Sequence, residues 1–119
     1  MVEPLPSPEQ SPELELLDSL VDSFAKLDLI TYFHGNPWSM DTAEGLARHI
    51  GRPLEKVEES ALALTRQGVL KVFQQDHKPV YSFNSSTQTR VIDKFLAFYS
   101  TPDGRLVILT RLLQSGSAP

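Results

Sequence analysis

The side chains with the most evident chemistry crowd one stretch, "RHIGRPLEKVEESALALTRQ". Within these twenty residues lie Glu55, Glu58 and Glu59 alongside Arg48, Arg52, Lys56 and Arg66. Paired carboxylates can do general acid–base work, but Glu58 and Glu59 are adjacent, so on a helix they diverge instead of converging on a substrate. No G-x-S-x-G and no glycine-rich phosphate loop accompanies them, and the serines and threonines fall at caps and loops. The expectation is a protein that is not an enzyme. His34, His49 and His77 have no metal-ligand spacing and no cysteine nearby, so no metal and no cofactor is expected. The cations remain, and Lys and Arg can neutralise phosphate. Across residues 41–83 six basic side chains face six acidic ones, so that segment is neutral.

The bulk properties narrow the class. The 119 residues are 40% apolar and 22% charged, which suits one compact domain with a modest core. The absence of cysteine excludes a disulfide scaffold, a thiolate metal site and cysteine catalysis, and agrees with a cytoplasmic location. No apolar run approaches the ~18 residues of a membrane span, and no membrane partner is expected. "MVEPLPSPEQSPE" lacks the basic and apolar regions of a secretory signal. The net charge of −4 is uneven. Residues 1–30 carry seven acids against Lys26 alone, and the rest of the chain holds ten Lys/Arg against eight acids.

The elements that must position these charges follow from periodicity and punctuation. Residues 1–10, with Pro4, Pro6 and Pro8, read as a disordered lead. A helix over 12–26 is expected, capped by Ser11 with Pro12 at its first position, burying Leu14, Leu17, Leu20, Val21 and Phe24. Asp28 is positioned to cap a short second helix that buries Leu29, Ile30 and Phe33. Trp38-Ser39-Met40 reads as an edge strand. Asp41, with Glu44 three residues on, reads as the cap of a helix that buries Leu46, Ala47 and Ile50 and ends at Gly51. From Pro53 a further helix turns Val57, Ala61 and Leu64 inward, and Gly68 ends it in the left-handed conformation. "VLKVF" and "VYSF" then predict a β-hairpin. Its connection "QQDHK" lacks glycine, so a loop longer than two residues is expected. Two helices over 87–114 close the domain, interrupted by Thr101-Pro102-Asp103-Gly104. The domain spans 11–115, and 116–119 form a tail.

The order and the residues at its turns resemble a winged helix-turn-helix domain over about 28–83. Leu46, Ala47, Ile50 and Gly51 stand at the turn, Val57 and Leu64 hold the second helix, and Gly68 leads into a hairpin ending "YSF". With its flanking N- and C-terminal helices the chain is similar to the MarR- and ArsR-type regulators. The resemblance implies a mainly α (α+β) fold with a two-stranded wing. It also implies a transcriptional regulator that binds duplex DNA as a homodimer. Arg48, Arg52, Lys56 and Arg66 would meet DNA from the motif, and Lys71, His77 and Lys78 from the wing. The dimerisation helices would be 12–26 and 87–114, through Leu16, Leu20, Phe24, Ile108, Leu109, Leu112 and Leu113, since the last helix is apolar around most of its circumference. The alternative is a protein–protein interaction module without DNA binding, in which the acidic helix docks a basic protein partner. Leu54 and Leu62 would belong to that docking surface if they are exposed.

Overall fold

The computed structural model describes residues 20–84 and 89–116. The proposed lead at 1–10, most of the expected 12–26 helix and the end of the tail lie outside the described residues. Five helices and a three-stranded antiparallel sheet make up the described chain, a mixed α+β, winged-helix-like arrangement.

Helix α1 runs Phe24–Gly35 and is capped by Ser23, whose hydroxyl accepts from the Lys26 N–H at 3.2 Å. The expected boundary at Asp28 is therefore corrected. The helix passes straight through Asp28 and places Phe24, Leu27, Leu29, Ile30 and Phe33 in the core. Ser23 prevails because the first turn needs one acceptor for its free N–H groups, and Ser23 stands immediately before the apolar run. After Asn36, strand β1 (Met40–Thr42) forms one edge of the sheet.

Helix α2 (Ala43–Ile50) is capped by Thr42, whose Oγ1 accepts from Gly45 N–H at 3.2 Å. The cap thus sits one residue later than Asp41, which belongs to β1. A side chain on Gly45 would collide with the Asp41 carboxylate, so glycine lets the strand end lie against the helix. Gly51 is left-handed at φ 69° and ends α2. Helix α3 (Leu54–Arg66) follows Pro53 and buries Val57, Ser60, Ala61 and Leu64. It ends as expected in a left-handed Gly68, with Gly68 N–H bonded to Thr65 O and Val69 N–H to Leu64 O, the paired bonds of a Schellman stop.

Strands β2 (Leu70–Gln75) and β3 (Lys78–Phe83) pair from Leu70↔Phe83 to Gln75↔Lys78. Only Asp76 and His77 connect them, both at positive φ (53° and 65°). This corrects the expectation of a longer loop. Two successive left-handed residues make a primed turn that matches the strand twist, and Asp and His tolerate that region better than most residues. Strand β3 is central, with β1 on its other side (Met40↔Ser82, Thr42↔Val80), so the sheet order is β1-β3-β2.

Helices α4 (Thr89–Tyr99) and α5 (Pro102–Gln114) close the core through Ile92, Phe95, Ile108 and Leu112. Thr101 caps α5 by accepting from Gly104 N–H at 3.0 Å. A Cβ on Gly104 would land on the Phe98 carbonyl, so the α4–α5 corner requires glycine. No helix among the described residues is long and apolar enough to cross a membrane.

Candidate functional site

On α3 the expected division between inner and outer faces holds. Val57, Ala61 and Leu64 are completely buried, while Glu55, Lys56, Glu58, Glu59 and Arg66 are exposed. Leu54 and Leu62 are also on the outside, at 38% and 44% exposure, so they are surface residues and not core. The outer face of α3 therefore combines carboxylates with two leucines. Burial first, and then the Glu58 carboxylate, push the Tyr81 hydroxyl above the ordinary tyrosine pKa.

The hairpin carries two lysines against one acid, Asp76. Register sorts its side chains into two sets. Leu70, Tyr81 and Phe83 join the core, and Lys71, Phe73 and Lys78 belong to the other face. Lys71, His77 and Lys78 are exposed. Val80, paired across from Phe73, is buried outside the main core cluster, while Phe73 and Met40 are 40% and 62% exposed. Lys78 lies close enough to Glu44 to affect it. The Glu44 carboxyl is held below its ordinary pKa by its own backbone N–H, then by the Thr42 hydroxyl, with Lys78 and Arg48 adding smaller terms.

Arg52 stands apart from the other candidate cations. Its Nε donates to Asp28 Oδ2 at 2.6 Å, and its guanidinium lies 5.7 Å from the Phe24 ring centroid. The side chain is 21% exposed. It fastens the α2–α3 turn to α1, a role the sequence reading missed because its partner is 24 residues away. Arg48, Lys56, Arg66, Lys71 and Lys78 carry no ion pair among the described residues and are exposed.

Of the residues expected at a dimer interface, Leu16 lies outside the described residues. Leu20, Phe24, Ile108 and Leu112 are at most 8% exposed and belong to the chain's own core cluster. Leu109 is partly buried and Leu113 is 55% exposed. Beside it Leu106, 68% exposed, was not among the expected set. Trp38, expected to open the edge strand, lies before β1, which starts at Met40, and is 92% exposed. His49 stacks on Tyr32 at 5.2 Å and lies 3.6 Å from Asp41, and His34 bonds Asp93 at 2.7 Å. The described residues contain no group of three or more metal-capable side chains.

The chain matches no family model and no curated protein. Among solved structures it is similar to a possible transcriptional regulator from Methanosarcina mazei Go1. The TM-score is 0.57 at 20% identity, covering 78% of this chain and 83% of that one. At that identity the likeness supports the winged-helix-like fold and nothing finer.

Proposed function

We propose that this protein is a winged helix-turn-helix transcriptional regulator that binds duplex DNA as a homodimer. The observation that carries the reading is the set of exposed cations Arg48, Lys56, Arg66, Lys71 and Lys78 around α3 and the hairpin, which form no ion pair among the described residues. The description of the Methanosarcina mazei protein as a possible transcriptional regulator supports the same role. In this reading Lys71, His77 and Lys78 hold phosphates from the wing, and Arg48, Lys56 and Arg66 do so from the motif. Arg52 holds the motif together through Asp28. Self-association uses the exposed face of α5, where Leu106, Leu109 and Leu113 follow each other at three and four residues.

A second reading is favoured by one specific observation: Glu55, Glu58 and Glu59 are all exposed on the face that would enter the major groove, with Leu54 and Leu62 among them. Carboxylates oppose phosphate binding, and exposed leucines suit a protein partner. The chain would then be an interaction module whose α3 docks a basic protein.

Fluorescence anisotropy with random duplex DNA, titrated over salt, separates the two. The regulator reading requires binding at low salt that weakens steeply as salt rises. Lys71→Glu with Lys78→Glu should weaken it about tenfold or more and flatten the salt slope by about one per lost contact. Absence of binding at low salt sinks the regulator reading and leaves the interaction module.

A further inference from the structure

A groove of about 640 Å³ runs between the start of α1, the α2–α3 turn, one flank of α3 and Ser115-Gly116 at the end of α5. That volume suits a small organic ligand. Its lining holds more hydrogen-bond donors than the protein uses. Ser60 is only 6% exposed, and its hydroxyl has no hydrogen-bond partner among the described residues. A buried hydroxyl left unpaired is costly, so one in a groove wall points to an occupant that accepts from it. Lys26 is 7% exposed. Its ammonium reaches Asp22 at 3.0 Å and Gln67 at 3.4 Å, which leaves one of its three N–H groups without a partner among the described residues. Arg52 spends its Nε on Asp28, and neither of its terminal amino groups is bonded to a described residue. Lys56, on the rim, carries no ion pair among the described residues.

The acids in the same lining are Asp22 and Glu59. Asp22 is already matched by Lys26 and Asp28 by Arg52, so Lys56 is the lining cation with no ion pair among the described residues, and the surplus in the groove is of N–H and O–H donors. Ala25 and Ala63 supply an apolar wall. We propose that this groove binds a small organic anion, its carboxylate or phosphate head held by Lys26, Arg52, Lys56 and Ser60, and its apolar body against the alanines. Such a ligand bridges α1 to the turn that introduces α3. The inference does not depend on DNA binding and stands whether α3 meets nucleic acid or protein.

The test is a backbone-amide NMR titration of the full chain with three probes: benzoate, inorganic phosphate, and benzamide as the neutral counterpart of benzoate. Saturable shifts at Ser23, Lys26, Lys56 and Ser60 are expected at millimolar benzoate or phosphate, and none with benzamide. Saturation by benzoate alone assigns a carboxylate head, and saturation by phosphate alone assigns a phosphate head. Ser60→Ala and Lys56→Ala should each weaken the binding about tenfold, as removal of a hydrogen bond to a charged group does. Ser60→Ala is conservative and Lys56 is on the surface, so both variants should fold. The proposal fails if neither anion saturates, if benzamide binds equally, or if both variants bind unchanged. It also fails if these amides respond only to duplex DNA, since the groove would then be a contact for backbone phosphate.

Discussion

Helix α3 and the β2–β3 hairpin are neighbours in the fold, and their exposed charges are weighted differently: three acids against Lys56 and Arg66 on the helix, two lysines against Asp76 on the hairpin. The helix shows Glu55, Glu58 and Glu59 with two leucines, and the hairpin shows Lys71 and Lys78 with Phe73. Their inner sides are alike, each feeding apolar residues into one core: Val57, Ala61 and Leu64 from the helix, Leu70, Tyr81 and Phe83 from the strands. Burial fixes the inner residues of both elements in the same way, while nothing about the fold fixes the sign of the outer ones. A helix-turn-helix skeleton is therefore compatible with either polarity, and function has to be read from the outside.

Three measurements sharpen the contrast between inner and outer residues. The largest effect is expected from Leu64→Ala, which empties a fully buried position of α3 and should lower unfolding stability in urea by about 2–5 kcal/mol. Phe73→Ala, on the exposed hairpin face, should cost about 1 kcal/mol or less. If the two losses prove equal, the assignment of Phe73 to an outer face is wrong.

Asp28→Ala should have an intermediate effect. Both partners of the Asp28–Arg52 pair are partly exposed, so its loss should cost about 1–2 kcal/mol. Arg52→Ala should cost a similar amount, and the double variant less than the two added. Strict additivity in that cycle would mean the pair does not couple α1 to the turn.

The smallest effect is expected from His77→Gly. Glycine adopts positive φ without strain, so relieving the second position of the hairpin turn should stabilise the protein by about 0.5–1 kcal/mol. A destabilised variant would show that the His77 side chain contributes more than its backbone strain costs.

Much of the fold was legible in the sequence, for reasons tied to particular residues. Gly51 and Gly68 end their helices because few other residues adopt the left-handed conformation, and the inward stripe of α3 follows directly from a 3.6-residue period. The errors came where two residues competed for one job. Ser23 displaced Asp28 as a cap and Thr42 displaced Asp41, because either member of each pair has a suitable acceptor. The two-residue turn was missed because Asp76-His77 lacks the glycine that usually marks one. At the candidate site, exposed lysines could be found from period alone. The capture of Arg52 by Asp28, the unpaired Ser60 hydroxyl and the burial of Leu20, Phe24, Ile108 and Leu112 all depend on elements distant in sequence. No local pattern reports such contacts.

Thr42 gives the hairpin and the helix-turn-helix a shared mechanical joint. Its backbone pairs with Val80 on the central strand, and its hydroxyl holds the first turn of α2 through Gly45. The strand pairing of β1 with β3 thus runs directly into the first turn of α2, with no loop between them. Whatever the wing contacts is therefore placed relative to α2 by the three-residue register of β1 on β3.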